Sequence, residues 1–124
     1  GDWQEAVGSV VLLGDAADHN LPGLEGPRAK CCREGIGEAD VILVPLEDGD
    51  RCEALVAAGK QVLVVDLNPL SRTAMTATVT IVDEVSRAAS ELLGEIVSGD
   101  CELSEWNNAA ALNAALEIIS DAAV

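Results

Sequence analysis

Residues 66–77, Asp66-Leu-Asn-Pro-Leu-Ser-Arg-Thr-Ala-Met-Thr-Ala77, carry the groups best suited to gripping a polar ligand. They offer one fixed cation (Arg72), one carboxylate (Asp66), one amide (Asn68), two hydroxyls (Ser71, Thr73) and a proline, directly after the strand-like run Gln61–Val65. A connection of this length without periodicity of its own is long for a compact domain, and such loops are usually functional or disordered. The same residues would also serve an ordinary crossover loop whose Ser and Asp side chains cap helices. Neither GxxxxGK[ST] nor GxGxxG occurs in the chain, so a phosphate would have to be met by Arg72 and by backbone N–H groups at loop and helix starts. A carboxylate beside phosphates is repulsive, and the better use of Asp66 is to accept hydrogen bonds from ribose hydroxyls.

A second polar run, Glu47-Asp-Gly-Asp-Arg51, sets three carboxylates and an arginine after the apolar run Val41–Val44. Two further apolar runs, Ser9–Leu13 and Gln61–Val65, read as strands buried on both faces. Thr76–Ile81 alternates threonine with Ala77, Val79 and Ile81, the period of a strand with one polar face at a sheet edge or facing a ligand. Between the strands lie helical patterns at Glu25–Ala39, at Cys52–Ala58 closed by Gly59, from an Asp83 cap through Val97, and at Ser104–Ala122 with Leu112, Leu116 and Ile119 on one stripe.

Alternating strands and helices imply parallel pairing through right-handed crossovers. The expected fold is therefore α/β: a three-layer, Rossmann-like, open and mainly parallel sheet with flanking helices, forming one nucleotide-binding domain over residues 1–124. Each strand is followed within a few residues by an aspartate: Asp15, Asp48 or Asp50, Asp66, and Asp83. Ligands of open parallel sheets bind outside the carboxyl ends of the strands, so these acids should converge on one rim. Helix capping alone accounts for Asp50 and Asp83 equally well.

Composition narrows the partners. The 124 residues carry 22 acidic against 7 basic side chains, a formal charge of −15, and no Phe or Tyr. Nucleic acid and anionic membranes are repelled at long range, stacking platforms are scarce, and no apolar run approaches a membrane span. The acids are spread through the whole sequence, which reads as a surface adapted to high intracellular salt; an acidic interaction surface is the alternative. Cys31 and Cys32 are adjacent, Cys52 and Cys101 stand apart, and no CxxC occurs, so the thiols read as small apolar residues of a reduced cytoplasmic protein rather than as metal ligands with the lone His19. The chain opens at Gly1 close to its first apolar run, as a fragment, a processed product or a trimmed chain would.

Val-Pro-Leu-Glu-Asp-Gly-Asp-Arg (44–51) with Glu-Ala-Leu-Val (53–56), and Asp-Leu-Asn-Pro-Leu-Ser-Arg-Thr-Ala (66–74) with Thr-Ala-Thr-Val-Thr-Ile-Val-Asp (76–83), resemble the archaeal phosphopantothenate synthetases, or 4-phosphopantoate–β-alanine ligases. Leu-Pro-Gly-Leu-Glu (21–25) and Arg-Glu-Gly-Ile (33–36) fit as well, so the resemblance covers roughly residues 18–90. It implies ATP-dependent condensation of 4-phosphopantoate with β-alanine, giving 4′-phosphopantothenate, AMP and pyrophosphate in coenzyme A synthesis, with ATP and Mg2+ as cofactors and a homodimer as the assembly. By position it implies nucleotide contacts at Asp66, Leu67, Asn68, Arg72, Thr73, Glu84 and Val85, while Asp48, Asp50 and Arg51 are candidates for substrate or magnesium. Catalytic residues do not follow from it. Family members are about twice this length, which makes the chain the expected carboxyl-terminal part of a longer enzyme. Met75 stands where the family usually has a basic residue, and Glu84 where it usually has asparagine; a carboxylate only accepts hydrogen bonds. A non-catalytic nucleotide-binding or dimerisation module derived from that family is the competing reading.

Overall fold

The computed structural model describes residues 8–123, which fall into two compact units divided between Ala39 and Asp40. In the first, a short antiparallel pair, β1 (His19–Asn20) and β2 (Lys30–Cys31), sets His19 opposite Cys31 and Asn20 opposite Lys30. Leu21, Ala29 and Cys31 are its buried apolar residues, and the Leu21 amide donates to the Ala29 carbonyl at 2.8 Å.

Two sequence expectations fail here. Ser9–Leu13 is not a strand: the parallel sheet has three strands without it, and Val10, Val11, Leu12 and Leu13 are all exposed. A short apolar run is compatible with a buried strand, but only a ladder partner makes it one. Glu25–Ala39 is not one helix either. It breaks into a 3-10 turn (Gly26–Ala29), strand β2, and a wide helical turn (Arg33–Gly37). The break falls at Lys30–Cys32, extended residues of which Lys30 and Cys31 pair with β1, while Gly26, with φ of 70°, and Gly35, at φ −91°, ψ −113°, further depart from helical backbone.

The second unit is the α/β fold expected from the sequence, an open Rossmann-like parallel sheet flanked by helices. Its strands β3 (Val41–Val44), β4 (Gln61–Val65) and β5 (Val79–Ile81) lie in chain order, with Val44 opposite Val64 and Val65 opposite Ile81. Crossovers of one hand between sequential neighbours put the intervening helices on one face. Accordingly α1 (Gly49–Ala57) packs on β4 and on α2 (Arg72–Thr76), and α4 (Asn108–Ala122) packs on α2 and β5. This layer encloses the core: Cys52, Leu55, Val62, Val64, Thr73 and Ala74 are essentially inaccessible. Each fully buried valine or leucine there contributes about 1.5–3 kcal/mol. On the opposite face of the sheet Val41 and Leu43 are half exposed.

The strand is shorter than Thr76–Ile81: Thr76 ends α2, Thr78 precedes β5 and is exposed, and Thr80, the one threonine within β5, faces the covered side. Thr80 is buried and its hydroxyl donates to the Ala74 carbonyl at 2.9 Å, while the Thr78 hydroxyl accepts from the Val62 amide at 3.0 Å. β5 is an edge strand, as its polar pattern suggested, and Asn108 closes that edge. Its Oδ1 accepts from the Thr80 amide at 2.7 Å and its Nδ2 donates to the Ala74 carbonyl at 2.8 Å. One side chain thus ties the start of α4 to both β5 and α2.

Helix α3 (Val85–Ser98) begins one residue later than an Asp83 cap would allow, with Glu84 as its cap, and ends at Gly99 with φ of 71°. Only Ala88 of α3 is buried; Leu93, Ile96 and Val97 face solvent. α4 starts at Asn108 rather than Ser104 because the Asn107 side chain caps it, accepting from the Ala110 amide at 3.0 Å. Of its expected stripe, Leu112 is buried and Ile119 is half exposed.

Candidate functional site

All three parallel strands stop at one rim. The residues just beyond them, Pro45–Glu47 after β3, Asp66–Leu67 after β4 and Asp83–Val85 after β5, line a single cleft of about 250 Å³. Its walls divide by chemistry. Pro45, Leu46, Val65, Leu67 and Val85 are aliphatic, and Leu46 and Leu67 are 74% and 67% exposed, an exposure that leaves apolar surface for a ligand to cover. Glu47, Asp66, Asp83 and Glu84 supply only acceptors at neutral pH. Such a cleft suits a flat apolar ring carrying a hydroxylated sugar and repels phosphate groups.

The Asp66–Ala77 stretch, read from the sequence as a loop without periodicity, is a tightly tied turn followed by a helix. Asp66 Oδ1 accepts from the Asn68 amide at 2.9 Å and Oδ2 from the Ser71 hydroxyl at 2.5 Å. Asn68 Oδ1 accepts from the Leu70 amide at 3.0 Å. Ser71 then caps α2, its oxygen accepting from the Ala74 amide at 2.9 Å. Side chains that bond their own backbone two or three residues on offer the chain an alternative to regular structure, which is how Asp, Asn and Ser build such turns. Asp66 therefore holds the loop through both carboxylate oxygens and also lines the cleft.

Of the residues singled out from the sequence, Asp66, Leu67, Glu84 and Val85 meet at the cleft, while Asn68 lies on the exposed turn. Thr73 is fully buried, with its hydroxyl donating to Glu47 Oε1 at 3.2 Å and its carbonyl accepting from the Cys52 thiol at 3.7 Å. It ties α2 to a cleft-lining acid. The Cys52 thiol is pushed up by burial first and by Glu53 and Asp48 second, which keeps it protonated and unreactive. Asp48 caps α1, its Oδ1 accepting from the Arg51 amide at 3.2 Å. Met75, on α2, is 59% exposed.

Arg72 stands at the first position of α2, ion-paired with Asp50 through Nη2 and facing Glu53 through Nε at 3.4 Å. The Asp50 hydrogen bond is the largest cause of its raised pKa. At the rim's other end Arg87 bonds Asp83 through Nε, at 2.8 Å, and through Nη2. The hydrogen bond from Arg87 depresses the Asp83 carboxyl, and the amides of Ser86 and Arg87, at 3.0 and 3.2 Å, depress Glu84.

Glu47 and Leu46 were not assigned to a ligand from the sequence, although their place after β3 carried the signal; of the aspartates expected on the rim, Asp66 and Asp83 line the cleft and Asp15, Asp48 and Asp50 do not. Gly49 was missed too. A Cβ on it would stand 2.6 Å from Arg72 Nε, so the guanidinium rests against its backbone.

The phosphopantothenate/pantothenate synthetase family model matches residues 2–122. The chain belongs to that family. Among relatives of this synthetase family, the 4-phosphopantoate–β-alanine ligase of Thermococcus kodakarensis is 57% identical over 79 residues, covering 64% of this chain and 30% of its own length. The ligase of the same name from Methanosarcina mazei is 51% identical over 88 residues, covering 71% of this chain and 34% of its own. The Methanospirillum hungatei ligase is 54% identical over 83 residues, with 67% and 34% covered. The match therefore spans about a third of the length of these synthetase relatives. Among the described residues no helix is long and apolar enough to cross a membrane, and no group of three or more His, Cys, Asp or Glu could hold a metal ion.

Proposed function

We propose that this chain supplies the nucleotide-binding part of a cytoplasmic, AMP-forming ligase that condenses 4-phosphopantoate with β-alanine to 4′-phosphopantothenate in coenzyme A synthesis. The observation that carries the reading is the cleft at the carboxyl ends of β3, β4 and β5, aliphatic and acidic at once, in a chain of this family. Leu46, Leu67 and Val85 would cover the adenine. Asp66 and Glu84 would accept from ribose hydroxyls or the exocyclic amine, and Arg72 would meet a phosphate with a directional, charge-assisted hydrogen bond. Asp48 already caps α1 through the Arg51 amide, and Asp50 already pairs with Arg72, so their use is structural before any substrate arrives.

The described residues do not build a protein cage for Mg2+. Magnesium is therefore assigned to the nucleotide, held through its phosphates with at most one or two carboxylates, as this ion usually is. The chain's own part is positional: the cleft orients the nucleoside, and Arg72 aligns the phosphates for attack by the pantoate carboxylate. No nucleophile with an adjacent base is present among the cleft residues, in keeping with adenylation of the substrate rather than of the protein.

A thermal-shift titration of this chain with ATP, AMP and 4-phosphopantoate tests the reading. Saturating ATP should stabilise by about 2.7 kcal/mol at a hundredfold excess over Kd. A melting temperature indifferent to all three ligands would refute nucleotide binding by this chain. Because the chain matches a third of its relatives' length, a non-catalytic binding or dimerisation module remains the second reading. Product analysis with the longer enzyme separates the two, AMP supporting the ligase and ADP overturning the adenylate route. Light scattering tests the proposed homodimer.

A further inference from the structure

We infer that Gly49, Asp50 and Glu53 form a seat that fixes the orientation of the Arg72 guanidinium, and that they act on nucleotide binding as positioning residues. This rests on the proposal that Arg72 meets a phosphate. Three observations point to it. Asp50 and Glu53 are three residues apart on α1 and so share one helix face. They take the same edge of the guanidinium, Asp50 at Nη2 and Glu53 at Nε, and Nη1 takes part in neither ion pair. Gly49, buried at the first position of α1, leaves room that a Cβ would occupy, 2.6 Å from Nε, 3.1 Å from Nη2 and 3.2 Å from Cζ.

A guanidinium is a rigid planar fork, so fixing one edge fixes the direction of the other. Held through Nε and Nη2, Arg72 presents Nη1 in a set direction to a phosphate oxygen. Two carboxylates on one arginine leave the cluster with a net negative charge, which rules out long-range attraction as its purpose. What the cluster supplies is geometry. Each of the three charged side chains is about half exposed, so the pairs themselves add little to folding stability.

Gly49→Ala tests the seat without altering any charge. The three atoms nearest the new methyl all belong to the movable end of Arg72, so the fold should tolerate it, and alanine favours a helix over glycine. The melting temperature should hold or rise while ATP Kd increases about tenfold, the order of one misdirected charge-assisted hydrogen bond. In an Arg72→Ala background the same substitution should leave ATP Kd unchanged, since the coupling then has nothing to act on. The Arg72 Nε–H resonance of the ligand-free chain should be protected from exchange in the native protein and should lose that protection in Gly49→Ala. Released protection with unchanged ATP affinity would overturn the positioning role and leave nucleotide binding intact. Absence of ATP binding by the native chain would instead remove the functional reading and this inference together.

Discussion

Two arginines of the rim sit among acids, and they differ in how far the chain travels to bring the partners together. Arg87 pairs with Asp83, one turn away on the same segment, and Glu84 between them accepts from the first amides of α3. Arg72 pairs with Asp50 and Glu53, which lie across the β4 crossover on another helix. A pair at i, i+4 forms wherever a helix starts and needs no tertiary fold. The Arg72 cluster exists only when α1 and α2 are packed side by side. The first pattern is helix capping; the second is a guanidinium placed by the whole fold, at the end of the sheet where ligands bind.

The largest expected effect follows directly. Arg72→Lys should raise ATP Kd about tenfold or more, because an ammonium cannot take two carboxylates on one edge and keep a directed donor on the other. Arg87→Lys should change ATP affinity by less than about twofold, since its partner is local and an i, i+4 pair is weak. Isothermal titration of both variants checks the contrast, and equal losses would erase the distinction between the two clusters.

Asn108→Ala sharpens the comparison from the side of the scaffold. It strips the Thr80 amide of its partner and the Ala74 carbonyl of one of its two donors, the Thr80 hydroxyl remaining, both at the α2–β5–α4 junction. Leaving a part-buried backbone group unsatisfied costs about 1–3 kcal/mol. Because Ala74 belongs to α2, the Arg72 seat should loosen with it, while the α3 start should keep its protection. Denaturant unfolding gives the first number, and amide exchange of Met75, which donates to the Ser71 carbonyl at 3.0 Å in α2, against Ser86 gives the second. A loss of protection spread equally over both regions would show that they are not separately supported.

How much of this was legible in the sequence follows the same division between local and long-range causes. The strands Val41–Val44 and Gln61–Val65 were readable because hydrophobic runs and turn residues are local signals, whereas the last was read as Thr76–Ile81 and begins only at Val79. The cleft was foreseeable as a rim for the same reason. Ser9–Leu13 and Glu25–Ala39 misled because apolar or basic patterning does not say whether a ladder partner exists, and within Glu25–Ala39 Lys30 and Cys31 find one in β1. The role of Gly49 could not be read at all. A glycine beside two aspartates looks like a helix start, and only the arrival of Arg72 from 23 residues further on gives it a second meaning.

Salt should act on both regions, but through the whole surface rather than through either cluster. With 22 acids against 7 bases, self-repulsion opposes the compact state, and the screening length falls from about 10 Å at 0.1 M to about 3 Å at 1 M. The melting temperature should therefore rise by several degrees between dilute buffer and molar potassium chloride. A flat profile would count against the proposed adaptation to high salt.

The smallest effect is confined to the start of α3 and separates its capping from everything else. Asp83 is depressed by Arg87 first and by the Glu84 amide second, and Glu84 by the amides of Ser86 and Arg87. Carboxyls depressed on folding stabilise the folded state above their unfolded pKa, about 4 for these types. That contribution is lost as pH falls from there through the lower folded values, because the unfolded chain takes up protons first. Amide protection at Ser86 and Arg87, corrected for the intrinsic exchange rate, should be level from neutral pH to about 5 and should decline below 4. Glu84→Gln keeps an acceptor but removes the titrating charge, so its Ser86 protection should start lower and fall less on acidification. Identical profiles for the two proteins would mean that the depressed Glu84 carboxyl contributes nothing to the helix start, and that Asp83 with Arg87 holds it alone.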